Sequence, residues 1–199
     1  MMNKLNRNDL WNLEDYAEAR PAFRAEVIAH KKLRQVELGP HATLYFEDRI
    51  TIKYQVQEML RVERIFERAA IEEELEAYNP LIPDGANWKA TFMLEYPDVE
   101  ERRVALSGLG GVEHKVWVQA DGGNRVFTIA NEDLDRTNDQ KTAAVHFLRF
   151  ELDPASIALL KRGAALHMGI DHPGLPYSVT VRPAVRDCLV SDLRDSGLQ

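Results

Sequence analysis

Apolar and polar positions change their spacing along the chain, and the change divides it into a helical front and a strand-rich remainder. Near the start, Asn12 stands three residues before Asp15, and Pro21 falls where a helix has its first turn. This spacing predicts two helices in tandem with a break near Arg20. In the second, Phe23, Val27, His30 and Leu33 recur at helical spacing and face an apolar surface, while Arg24, Lys31 and Lys32 point elsewhere. Gly39 and Pro40 end that helix. The stretch "HATLYFE" is rich in β-formers and predicts a strand from Ala42 to Glu47, after which Asp48 caps a long helix reaching about Tyr78.

Projected at about 100° per residue, that long helix carries Ile52, Val56, Met59, Val62, Phe66 and Ala70 on one stripe. Gln55 and Glu63 fall inside the stripe. An adjoining face holds Tyr54, Glu58, Arg61 and Ile65 at spacings where side chains meet. A carboxylate on an apolar stripe must be neutral or paired, because an isolated buried charge is costly by several kcal/mol. Glu63 is therefore expected to be buried against an arginine, with Arg24, Arg34 and Arg149 as candidates.

After "NPLIPDG" the period shortens to two. Ala90, Phe92, Leu94 and Tyr96 alternate with Lys89, Thr91, Met93 and Glu95, and Asp98 then opens a short helix to about Ser107. "HKVWVQADGGNRVFTIA" reads as a hairpin turning at Asp121 to Asn124. "AAVHFLRFELDP" is a strand followed by a helix capped by Asp153 with Pro154 at its first position; "ALHMGI" and "YSVTV" are further strands, and a C-terminal helix starts near Pro183. This order implies an α+β fold: a mostly antiparallel sheet of five or more strands, helices on one face, and an N-terminal helical layer. We expect one domain over 1–199, with a helical arm (1–40), a strand and long helix (41–78) and a sheet-rich part (79–199).

Composition narrows the function classes. With 199 residues and 45% hydrophobic content the chain can bury a sizeable core, and its net charge of −7 opposes the counterion release that drives nucleic-acid binding. Neither a long unbroken apolar run nor a secretory leader is apparent, so no membrane association and a cytoplasmic location are expected. The single cysteine, Cys188, excludes an intramolecular disulfide and a cysteine-only zinc site. Phosphate-cradling loops, the nucleophile elbow of serine hydrolases and the helical zinc-protease motif are all absent, and "GLGG" from Gly108 lacks the dinucleotide spacing.

What remains are scattered polar residues. Gathered by folding, His41, His146 and His172 with a carboxylate would suit iron or zinc. His146 shares a strand face with Leu148 and Phe150 and is expected to be buried, whereas Asp171 and His172 are neighbours on a turn. Tyr54, Gln55, Glu58, Arg61 and Glu63 are the candidate ligand-binding residues, placed where the long helix meets the sheet.

The segments "VIAHKKLRQVELGPHATLYFEDRITIKYQVQEMLRVERIFE", "YNPLIPDGANWKATFMLEYPDVEERR" and "KTAAVHFLRFEL" resemble the bacterial family catalogued as domain of unknown function 3501, over nearly the whole chain. The resemblance transfers no catalytic residue. Members of that family tend to be encoded near rubrerythrin-like and iron–sulfur redox proteins, so by family association alone the resemblance points to a redox-protein partner. Two readings follow. One is a non-catalytic accessory or scaffold protein, expected to be a homodimer because the long helix has more apolar circumference than one core contact uses. The alternative is a metal-dependent or small-ligand enzyme with a Glu/Arg/His site at the junction of helix and sheet.

Overall fold

The computed structural model describes residues 4–130 and 142–194, and within them every strand pairing is antiparallel. Helices α1 (Leu13–Lys31), α2 (Arg49–Glu63) and α3 (Arg68–Tyr78) form the N-terminal layer. The strands are β1 (Gln35–Glu37), β2 (Ala42–Phe46), β3 (Asn87–Leu94), β4 (Val116–Ala120), β5 (Val126–Phe127), β6 (Ile129–Ala130), β7 (Val145–Glu151), β8 (Leu166–His172) and β9 (Leu175–Thr180). Among them lie α4 (Val99–Ser107), α5 (Pro154–Lys161) and, at the end, α6 (Pro183–Ser191). The α+β reading holds, and no helix among the described residues is long and apolar enough to cross a membrane.

The strands divide between two sheets, ordered β1-β2-β3-β7-β6 and β5-β4-β8-β9. At one side they are joined covalently, since β5 pairs with β4 and β6, one residue further on, pairs with β7. A strand that changes sheets in this way makes a corner, so the two sheets are halves of one curved wall. Among the described residues the opposite side is unclosed, with β1 and β9 as free edges. Between the sheets lies the main core, to which β3 contributes Trp88, Ala90, Phe92 and Leu94, the alternation read from the sequence. Val185, Leu189 and Val190 of α6 complete it, and Trp88 Nε1 donates to the Leu189 carbonyl at 2.8 Å.

Three helical expectations are corrected. First, α1 runs unbroken through Pro21. Proline inside a helix costs roughly 3 kcal/mol, but Tyr16 before it and Val27 after it are both buried, so packing holds the two halves in line. Second, α1 ends at Lys31, and "QVE" becomes the edge strand β1 by pairing Val36 with Leu44. Third, the helix expected from Asp48 to Tyr78 is two helices. Arg64, with φ 55 and ψ 43, closes α2 in the left-handed region. The turn lets Ile65 and Ile71 pack with Ile52, Val56, Leu60 and Leu75 in a second, smaller core.

The layers meet at Arg34, whose side chain is 2% exposed. Its Nε donates to the Phe46 carbonyl and Nη2 to that of Glu47, both at 3.1 Å. The same guanidinium is paired with Asp192 and lies 3.4 Å from Asp48 Oδ2. Asp48 is also the α2 cap, accepting from the Ile50 and Thr51 N–H groups, and His30 Nε2 lies 2.5 Å from its Oδ2. Burial works to raise both carboxyls. Arg34, the Thr51 N–H and His30 hold Asp48 below its usual range, whereas burial prevails at Asp192, which is raised.

Replacing Arg34 with Met should cost about 3–5 kcal/mol, because it strands two carboxylates in the interior. Arg34→Lys should recover less than half of that loss, since an ammonium cannot serve carbonyl and carboxylate partners in one plane. Chemical denaturation of the two variants beside the parent measures both; a Lys variant as stable as the parent would count against the planar fork as the reason for arginine.

Candidate functional site

The polar face of α2 is the seam on which α1 docks. Glu58 accepts from Arg20 Nε at 2.7 Å and Arg20 Nη2 at 2.9 Å, a bidentate pair, and from the Tyr16 hydroxyl at 2.7 Å. Arg61, one turn on, donates at 3.2 Å. Lys53 places its ammonium 3.7 Å from the Trp11 ring centroid, and Phe23 packs edge-on against both Trp11 and Tyr54. Gln57 is fully buried and bonds the Trp11 main chain in both directions, accepting from its N–H and donating to its carbonyl. Of the residues chosen from sequence, Glu58, Arg61 and Tyr54 thus come together, joined by Tyr16, Arg20 and Phe23 from α1.

Gln55 and Glu63 do not join them. Both are exposed, and Glu63 has no ion-pair partner among the described residues. Arg34, offered as a partner for Glu63, is committed to Asp48 and Asp192, and Arg149 is paired with Glu151. A paired carboxylate does occur one and a half turns earlier, at Glu58, but it and its partner Arg20 are only partly buried. The apolar stripe of α2 is centred on Ile52, Val56 and Leu60, so Glu63 lies off it, in the last turn before Arg64.

The histidines stay apart. His41 stacks on Tyr96 with centroids 4.2 Å apart, and its Nδ1 lies 3.0 Å from the Glu95 carbonyl. His172 Nδ1 accepts from the Gly174 N–H, while its neighbour Asp171 is engaged by Trp117 Nε1 at 3.0 Å and Arg125 at 2.6 Å. His146 is buried as expected, 2.8 Å from the Thr142 hydroxyl. Thr142 in turn donates to Oε2 of fully buried Glu113 at 3.3 Å. Among the described residues no three His, Cys, Asp or Glu side chains gather as a metal site.

A concave surface forms where sequence reasoning placed nothing. Between the edges of β1 and β9 lies a cleft of about 440 Å3, lined by Lys32, Gln35, Glu37, Thr180, Arg182 and Val185 among others. The polar–apolar alternation "QVEL" was the available signal for β1, and the basic run leading into it hid the change of period. The turn after β1 approaches β9 closely: a Cβ on Gly39, whose φ is +85, would stand 2.7 Å from the Tyr177 ring.

The Glu58 cluster has a titration signature. Its carboxyl is lowered from 4.5 to about 2, chiefly by the Arg20 hydrogen bond, with Tyr16 and Arg61 acting in the same direction against burial. A carboxylate whose folded value lies below its unfolded one adds stability above the unfolded value and loses it as pH falls toward the folded one. Glu58→Gln should therefore lower stability at neutral pH by about 1–2 kcal/mol. The difference should shrink as the pH drops from 4.5 to about 2. Glu63→Gln should change stability by less than about 0.5 kcal/mol at any pH. Urea midpoints across this pH range measure all three.

Comparison with known proteins adds kinship. The family described as "Protein of unknown function (DUF3501)" matches residues 4–193. A crystal structure of a protein of unknown function from Burkholderia pseudomallei K96243 is 48% identical, with a TM-score of 0.91, covering 96% of this chain and 100% of that one. Among curated proteins none matches.

Proposed function

The chain belongs to the DUF3501 family, and we propose that it serves as a non-catalytic accessory or scaffold protein that acts through self-association. The observation that carries this reading is the uncovered corner between α2 and α3. Val62 is 60% and Phe66 73% exposed, although both lie in the apolar pattern that predicted the long helix. Beside them runs a groove of about 440 Å3 lined by Leu10, Trp11, Leu60, Phe66 and Ile71, with polar Arg7, Asn8, Asn12 and Asp15 also on its wall. Leaving two large apolar side chains in water forfeits roughly 1.5–3 kcal/mol each, a loss that a two-fold contact centred on this corner recovers in both copies.

The polar residues of α2 support the non-catalytic part. Glu58 accepts from three side chains and Gln57 bonds main chain in both directions, so their bonding capacity is spent on holding α1 in place. A general base needs an oxygen free to reach a substrate proton, and Glu58 is surrounded by donors with a carboxyl held at about 2.

Sedimentation equilibrium tests the reading. The parent is expected at twice the mass of one chain at micromolar concentration, and Phe66→Asp at the mass of one chain, still unfolding cooperatively but with a midpoint that no longer depends on protein concentration. A parent of single-chain mass, or a Phe66→Asp variant that stays dimeric, would refute this corner as the contact.

A further inference from the structure

The open side of the two sheets points to a second surface, independent of the α2–α3 corner. In the antiparallel pair of β1 and β2, Phe46 donates to the Arg34 carbonyl and Leu38 to the Ala42 carbonyl. Bonded positions alternate along such a pair, so Val36 faces Leu44 while Gln35 and Glu37 turn their N–H and C=O groups outward. On β9 the Val181 N–H donates to the Leu166 carbonyl, which fixes Val179 and Tyr177 toward β8 and leaves Ser178 and Thr180 turned outward. No backbone hydrogen bond reaches these four outward residues among the described residues. Two rows of uncommitted main-chain groups thus border one cleft.

Free strand edges are templates for another strand, and proteins ordinarily blunt them with charge, proline or a covering element. Here both edges line the cleft, together with Lys32 and Arg182. Those two cations are exposed and have no ion-pair partner among the described residues, in a chain of net charge −7. α6 starts beside Arg182 without a side-chain cap, which adds to the positive field there. Glu37 is the one carboxylate lining the cleft among the described residues, and it stands on the exposed edge of β1.

We infer that this cleft binds an extended peptide segment of a partner protein, a segment carrying Asp or Glu side chains, which adds as a strand to the free edges of β1 and β9 and sets its carboxylates against Lys32 and Arg182. The main-chain groups supply affinity without reading sequence; the two cations supply the preference for acid.

A randomised peptide library displayed on phage, selected on the immobilised full chain, tests this. Enriched sequences should alternate β-formers with Asp or Glu. The best of them, made as a fluorescein-labelled peptide, should bind in solution and lose on the order of tenfold in affinity to the Lys32→Glu/Arg182→Glu double variant. Its backbone N-methylated counterpart should lose as much or more, a result that side-chain contacts alone would not give. Glu37→Pro removes an N–H that β2 does not use and should weaken binding while leaving the unfolding midpoint near the parent's; the methylated peptide makes the same test should that variant misfold. No enrichment over bare support, neutral or basic winners, or equal affinity for the double variant would overturn the proposal. So would a parent dimer that the double charge reversal dissociates, since the occupant would then be a second copy. The Phe66→Asp variant should bind the peptide like the parent, so failure of the self-association reading and failure of this one are told apart.

Discussion

A guanidinium removed from water must find a partner for each of its donors, and in this protein that demand organises three layers around one residue. Arg34 stands between the end of α1 and the start of β1, and it collects carbonyls from the β2–α2 junction, Asp48 from the α2 cap and Asp192 from beyond α6. The partners come from two distant parts of the chain, residues 46–48 and Asp192. Neutralising one buried charge with two carboxylates is a weak source of net stability, because desolvation offsets much of the attraction. Its effect is on arrangement: other dockings of the helical layer or of α6 leave a buried charge uncompensated.

The same logic recurs at smaller cost on α2. Glu58, with its three donors, and Lys53, over Trp11, both sit at the boundary between α1 and α2 and are partly exposed. α1 has only Tyr16 and Val27 fully buried, too little apolar area to fix its register. Polar contacts supply what the thin apolar stripe lacks, which explains why α2 is crowded with Gln, Glu and Arg where it faces α1.

Local signals in the sequence were legible wherever a single element decides the outcome. Asp48, Asp98 and Asp153 each cap the helix expected from them, and the alternation of β3 and β7 sorts core from outer face correctly, His146 included. Failures came where two elements compete. Pro21 reads as a break, yet packing on both of its sides overrides it. Glu63 shares a heptad-like spacing with Val56, but the left-handed turn at Arg64 ends the helix and puts that glutamate in water. The partners of Glu58, Tyr16 and Arg20, lie more than 35 residues away, and no local pattern in α1 names which carboxylate they will meet. Division into two sheets was invisible for a similar reason, since the corner at residue 128 interrupts neither the polarity nor the β-propensity of "RVFTIA".

That corner limits how the protein can deform. Because residues 126–127 pair in one sheet and 129–130 in the other, the sheets cannot slide past one another along that side without breaking pairs in each. Opposite, where no strand among the described residues crosses, Tyr177 lies against Gly39 and α6 packs on the core. The geometry is that of a book with a bound spine: the softest collective motion is rotation about the spine, which widens or narrows the fore-edge while leaving each page flat. A force applied across the fore-edge meets packing contacts one by one, whereas a force along the spine meets hydrogen bonds loaded together, so mechanical resistance differs with direction in a chain whose thermodynamic stability has no direction at all.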